Sequence, residues 1–383
     1  MRSDFFKFFK WQFYIGLFFI LVSCAKKAEV YPTTAGQFSE TTPTVVLSQP
    51  ATLRNSAAFP IGSAVDDYPM NNSKSYVTIL GDEFSSITPE SAMKFDRVEW
   101  KQNNFDFSAG DGIVNFALLH NQRVHGHTLV WQHALPTWVQ KFSGDSAAWE
   151  GVFKTHIKAM VAHYKRKVKS WDVVNEAIDD NDGSLVNKDK YGPGSGSLWR
   201  QHLGPDYIVR AFKYAHESDP DALLFYNDYG NDNGGWNSTK LKSVISIVKS
   251  VKNAGGTISG IGVQMHVNLT TDNKNITESL RQLAATGLLI HISELDVSVN
   301  PSNNPAFVFT ESIKSLQADK YQFIARTYRD VVPKAQQYGI TTWEFSDAYS
   351  ESILSGKKDF RLLFDLNYQK KPAYEGYFKG LVN

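Results

Sequence analysis

Between residues 59 and 347 short apolar runs alternate with amphipathic segments, and this alternation limits the possible folds more than any other feature of the chain. The runs are Phe59–Val65, Ser86–Ser91, Arg123–Trp131, Val168–Glu176, Leu223–Tyr229, Gly260–Val267, Leu288–Val297 and Gly339–Asp347. Most are too continuous in aliphatic residues to leave one face in water. Strands of that kind belong to a parallel sheet covered by helices. The segments Trp149–His163, Tyr207–Glu217, Thr239–Asn253, Ile276–Ala285 and Lys320–Tyr338 carry apolar residues at helical spacing. Eight strands alternating with helices predict an α/β fold, the (β/α)8 or TIM barrel. A chain of 383 residues has room for two or three smaller domains. However, no internal repeat appears and no Gly/Pro-rich linker splits the body. The Gly-rich stretch Tyr191–Ser197 reads as an insertion in a βα-loop.

The first fifty residues follow a different pattern. Arg2, Lys7 and Lys10 precede an apolar run from Trp11 to Val22. That run is too short for a bilayer of about 30 Å but suits a signal-peptide core. It ends Leu21-Val22-Ser23-Cys24, a small residue before the only cysteine of the chain. Residues 1–23 are therefore expected to be a lipoprotein signal peptide, with Cys24 as the lipidated first residue. Residues 24–54, rich in Thr, Ser and Pro, are expected to be a flexible tether, and 55–383 the barrel domain. The product would be exported and held at a bacterial cell envelope or cell surface, touching the membrane only through its lipid.

Charge and cysteine content remove several function classes. Lys plus Arg is 40 and Asp plus Glu is 39, so no broad basic surface exists for nucleic acid. One cysteine excludes an intrachain disulfide and cysteine-rich metal sites. Nothing in the sequence asks for an oligomer, and a monomer is expected.

In a barrel of this kind the chemistry sits on the loops that follow the strands. Three runs end in residues that a core does not tolerate. Trp171-Asp172-Val173-Val174 leads straight into Asn175-Glu176. Within Leu288–Val297, Glu294 and Asp296 share one strand face by period-2 alternation, which is costly unless they are partnered or at work. His125 and His127 share a face too. A His-x-His pair is compatible with a metal-dependent hydrolase if His266 and Asp296 complete the set, and otherwise with core histidines. Two glutamates at the ends of two strands suggest the carboxylate pair of a glycosidase. One protonates the departing oxygen, and the other attacks the anomeric carbon or activates water. Neither task needs a cofactor, in line with the lack of phosphate-binding Gly-rich loops.

Six motifs occur in order: Ser86-Ile87-Thr88-Pro89-Glu90-Ser91-Ala92-Met93-Lys94-Phe95, Gly126-His127-Thr128-Leu129-Val130-Trp131, Trp171-Asp172-Val173-Val174-Asn175-Glu176, Asn227-Asp228-Tyr229, Gly262-Val263-Gln264-Met265-His266 and Ile292-Ser293-Glu294-Leu295-Asp296. Together they resemble glycoside hydrolase family 10, the endo-1,4-β-xylanases, over about residue 55 to the C-terminus. The resemblance implies a retaining double displacement on β-1,4-xylan or xylo-oligosaccharides, with Glu176 as acid/base and Glu294 as nucleophile. It implies that Asn175 bonds the sugar 2-hydroxyl, that His266 orients Glu294, that Gln264 works near the acid and that Asp296 supports His266. Sugar binding would fall to Glu90, Lys94, His127, Trp131, Trp343 and, on the leaving-group side, Tyr229.

Four positions depart from the family pattern. Ser91 and Gly230 stand where Asn is usual, Ala134 where Gln is usual, and Glu351 where a second Trp is usual. All four belong to the sugar-binding shell, so the substrate is less fixed than the reaction type. Two alternatives stay open at this point: a glycosidase for a related β-glycan, and a non-catalytic glycan-capture lipoprotein that keeps the barrel.

Overall fold

In a computed structural model, described for residues 51–188, 196–232 and 238–382, nine parallel-paired strands follow the apolar runs. They are β1 (Ile61–Val65), β2 (Ser86–Pro89), β3 (Arg123–Gly126), β4 (Ser170–Asn175), β5 (Leu223–Asp228), β6 (Gly260–Val263), β7 (His266–Asn268), β8 (Leu289–Ser298) and β9 (Gln337–Thr342). β7 is a three-residue strand that, among the described residues, pairs only with β8. The other eight close a barrel, because β6 pairs with β8 and β1 pairs with both β2 and β9. This is the expected (β/α)8 barrel, with β4 as its fourth stave and β8 as its seventh. The expected signal peptide, Cys24 and most of the expected tether lie outside the described residues.

The folded body starts earlier than residue 55. Leu53 is fully buried, its amide donates to Glu83 Oε2 at 2.9 Å, and Arg54 donates to the carbonyls of Gly81 and His120. Tyr374, in the C-terminal helix Pro372–Val382, donates its hydroxyl to the same Glu83 oxygen at 2.7 Å. One buried carboxylate therefore ties both ends of the domain together.

Strand cores and four of the five expected helices fall where the sequence pattern predicts, but several strand ends and one helix do not. The helix expected over Lys320–Tyr338 instead spans Glu311–Val331. Thr310 caps its start by accepting from the Ile313 amide, and Pro333 blocks its continuation. Tyr338 belongs to β9. The helix Ser108–Leu119 was hidden by Gly110 and Gly112, which lower helix propensity. The run Gly260–Val267 is broken after Val263. Met265 takes φ +64°, so the chain turns between β6 and β7.

Polar side chains fill the inside of the barrel. His125, His291, Phe225 and Tyr338 pack ring to ring, with the Arg123 guanidinium 3.7 Å from the Tyr338 ring centre. Burial holds the His291 imidazole well below the usual histidine range, and this ring makes a neutral hydrogen bond, Nε2 lying 2.8 Å from Thr341 Oγ1. Outside, Trp149, Trp171 and Trp199 are buried among the helices. Trp131 and Trp343 instead line a cleft at the carboxyl ends of the strands.

Candidate active site

The cleft measures ≈ 390 Å³ and is lined by Glu90, Lys94, Trp131, Glu176, Gln264, His266, Glu294, Asp296, Trp343 and Glu351, among others. Its walls come from the segments that follow β2, β3, β4, β6 and β9 and from β7 and the carboxyl half of β8, the functional end of such a barrel.

Glu176 follows β4 directly and takes φ +54°. A non-glycine residue in that region carries strain of roughly 1 kcal/mol or more, held here by its surroundings. The Glu176 amide donates to the Asn227 carbonyl at 2.9 Å, and the Gln132 side chain donates to the Glu176 carbonyl at 2.8 Å. Its carboxylate accepts from Trp131 Nε1 at 2.8 Å through one oxygen and from Gln264 Nε2 at 2.7 Å through the other. The turn at Met265 separates Gln264, which bonds Glu176, from His266, which faces Glu294.

Glu294, deep in β8, is held differently. One oxygen accepts from Asn227 Nδ2 at 2.7 Å, and the other lies 3.2 Å from His266 Nε2. Asn227 Nδ2 also donates to Asn175 Oδ1 at 2.8 Å, and Ser293 Oγ donates to Asn227 Oδ1 at 2.7 Å. This one amide links the Asn-Glu motif of β4 to the Glu of β8. Gly262 makes room for it, since a Cβ there would stand 2.0 Å from Asn227 Oδ1.

His266 is bracketed by carboxylates, with Nδ1 2.9 Å from Asp296 Oδ2 and Nε2 at Glu294. The ring is 31% open to the cleft, and although its partial loss of solvent favours the neutral form, Asp296 and then Glu294 reverse this and hold its pKa well above the ordinary value. The ring is thus an imidazolium at neutral pH and keeps a positive charge against Glu294. Because the folded-state pKa lies above the unfolded value of about 6.5, this stabilisation is complete below that pH. It is lost as pH rises through the folded value. In histidine-labelled protein, NMR titration should show His266 still protonated above pH 7. Asp296→Asn should lower its pKa and shift the alkaline limb of kcat toward acid. A neutral His266 at pH 7 in the native protein would refute this charge assignment.

Arg361 adds a second cation, 3.3 Å from Asp296 Oδ2 and 2.7 Å from Asp359. Four of the expected sugar-binding residues, Glu90, Lys94, Trp131 and Trp343, line the cleft. The Lys94 ammonium lies 5.0 Å from the Trp131 ring centre and 5.8 Å from that of Trp343. Burial and the Asp66 carboxylate push Glu90 up to about 8, against the pull of Lys94, so at neutral pH Glu90 carries a proton and can donate as well as accept. His127 is only 2% exposed. Its Nδ1 is bound to Asp172 at 2.9 Å, and its ring packs edge-on against Trp343, so it braces the wall. Tyr229 stands apart from these lining residues, beside Asp180 and Lys240.

His125 is part of the barrel filling. Its Nδ1 is 2.6 Å from Ser170 Oγ and its Nε2 is 3.0 Å from Asp172 Oδ2. The two histidines hold Asp172 far below the usual carboxylate range despite its burial. This accounts for the His-x-His pair as internal support.

The departures divide by what they do. Gly230 takes φ +67°, a conformation open chiefly to Gly and Asn, so it preserves the backbone turn after Tyr229. Ser91 Oγ bonds Asp66. Ala134 borders a neighbouring cavity with Gln132 and His133. Glu351 brings a carboxylate to the cleft wall. The sequence reading did not assign roles to Asn227, Ser293, Gln132 or Arg361. Only Asn227 and Ser293 lie within the quoted motifs.

Residues 51–379 match the sequence profile of glycosyl hydrolase family 10. Exoglucanase XynX of Acetivibrio thermocellus is 36% identical over 82% of this chain, and the chain spans only 28% of that protein's length. The β-1,4-xylanase of Dictyoglomus thermophilum is 35% identical, over 82% of this chain and 86% of its own. Xylanase 10B of Thermotoga petrophila RKU-1, solved in complex with xylobiose, superposes with a TM-score of 0.77 at 32% identity, covering 86% of this chain and 97% of that one. Fold, cleft and sequence agree that the chain belongs to glycosyl hydrolase family 10.

Proposed function

We propose that the chain is a retaining, endo-acting glycoside hydrolase that cleaves β-1,4-xylosidic bonds of xylan by double displacement. The observation that carries this reading is a single cleft onto which two differently held glutamates open. Glu294, beside an imidazolium and bonded by Asn227, suits an ionised nucleophile. Glu176, bonded by an indole and an amide, suits the acid that protonates the leaving oxygen and then takes a proton from water. Asn175, tied to Asn227, would bond the 2-hydroxyl of the ring being cleaved and gain strength at the transition state. Glu90 and Lys94 would bind hydroxyls on the non-reducing side, between the aromatic walls Trp131 and Trp343. Tyr229 would carry the ring on the leaving-group side. The similarity to xylanases, one of them solved with xylobiose, supports this substrate class.

The domain is expected to act as a monomer, exported and anchored through a lipid on Cys24. Palmitate labelling of the expressed full chain, lost in Cys24→Ala, checks that anchor. Incubation of the purified chain with xylan, glucan and mannan tests the activity itself. Reducing ends should appear from xylan, with short xylo-oligosaccharides as products. Release from glucan or mannan alone would move the assignment to another β-glycan. Binding without release would favour a glycan-capture protein.

A further inference from the structure

We infer that Lys240 is a positioning residue for the leaving-group side of the cleft, clamping the Tyr229 ring so that only one face is offered to a sugar. Lys240 lies in the first turn of the helix Ser238–Asn253, is 1% exposed, and does not itself line the main cleft. Its ammonium sits 3.3 Å from the centre of the Tyr229 ring. At that distance the cation must lie over a face, not at the edge, so that face is closed to any ligand.

The same ammonium reaches two carboxylates on two different staves. It lies 2.6 Å from Asp180 Oδ1, in the loop after β4, and 3.1 Å from Asp228 Oδ1, at the end of β5. Asp180 completes the clamp, because its other oxygen accepts from the Tyr229 hydroxyl at 2.7 Å. The ring is thus fixed by a cation on its face and a hydrogen bond at its tip, both converging on Asp180. Asp228 anchors the base of the arrangement. It accepts from Tyr226 at 2.6 Å, and the Tyr226 hydroxyl in turn accepts from the Ala177 amide, one residue beyond Glu176. Burial pushes Asp228 up to about 7 against the opposing pull of Lys240, so without the ammonium this group would be still harder to keep ionised.

A rigid aromatic platform has a specific value in a polysaccharide cleft. Sugar C–H faces gain most from a ring already at the stacking angle, because little ordering is left for the moment of binding. The ligand class is a neutral pyranose unit of the leaving group. The inference rests on the xylanase reading above for the sugar's identity, but the clamp itself does not.

The test compares Lys240→Met with the native chain on xylotetraose and on xylobiosyl fluoride, whose leaving group has no ring to stack. KM for xylotetraose should rise roughly tenfold, the scale of one well-packed aromatic contact. Constants for the fluoride should stay within about twofold. Equal losses on both substrates, or no change on either, would overturn the inference. If Lys240→Met fails to fold, Asp180→Asn is read in its place, since it weakens both holds on the tyrosine from a half-buried loop position, and the same split is expected. A crystal structure of the variant supplies a readout independent of catalysis. A displaced Tyr229 ring supports the clamp, and an unmoved ring refutes it even if the chain proves to act on a different glycan.

Discussion

Glu294→Gln should lower turnover at least about 10⁴-fold on every substrate, activated or not, while leaving the fold intact. The amide has the same shape as the carboxylate and keeps an oxygen to accept from Asn227. What it lacks is the negative charge that attacks the anomeric carbon and that the imidazolium of His266 faces. No neighbour can substitute: Asp296, two residues on, is tied to His266 and Arg361. Far-UV circular dichroism should be unchanged. In the native protein an activated 2-fluoro-xylobioside should accumulate as a covalent adduct, and mass spectrometry should place it on the peptide that carries Glu294. More than about one per cent residual turnover in the Gln variant, or an adduct on another residue, would remove Glu294 from the role of nucleophile.

The parts of this site that could be read from sequence share a cause. Glu176, Glu294 and Asp296 stand out because a carboxylate in an apolar strand is costly, so its presence needs a reason. The strand cores were legible for the same reason, since near-continuous aliphatic runs have few homes other than a covered parallel sheet. Asn227 and Arg361 were not legible as functional residues. A motif contains Asn227 but does not say what it bonds, nothing local marks Arg361, and their partners Asn175, Glu294 and Asp296 lie 52 to 67 positions away. Strand ends were misjudged where the backbone leaves the β region while the sequence stays apolar or aromatic. Met265 and Glu344, at φ +64° each, and Glu176, at φ +54°, all turn the chain at the cleft face. A local pattern cannot reveal such turns, because only the tertiary contacts make them tolerable. Tyr229 shows the same limit from the other side. Its place in a motif suggested a platform, yet its partners come from elsewhere in the chain, Asp180 from the loop after β4 and Lys240 from the helix Ser238–Asn253.

Glu176→Ala should produce the opposite signature to the nucleophile variant, with a loss that depends on the leaving group. On xylan the loss should be roughly 10²–10⁴-fold, the range expected for removing a general acid. An aryl xylobioside whose phenol leaves without protonation should still glycosylate Glu294 within about tenfold of the native rate. Hydrolysis of that intermediate should then limit turnover, because the base that activates water is gone. Trp131 and Gln264, which bond Glu176 through separate oxygens, would lose their common partner, but neither supplies a transferable proton near neutral pH. Added azide separates the roles most sharply. It needs no base, so it should restore turnover and yield the β-configured glycosyl azide, the stereochemistry of a second inversion at the same carbon. An α-azide, or rescue that appears in Glu294→Ala instead, would exchange the two roles. Equal losses on xylan and on the activated aryl substrate would show that Glu176 is not the proton donor, and the Trp131 and Gln264 contacts would then have to be understood as support for a cleft whose acid lies elsewhere.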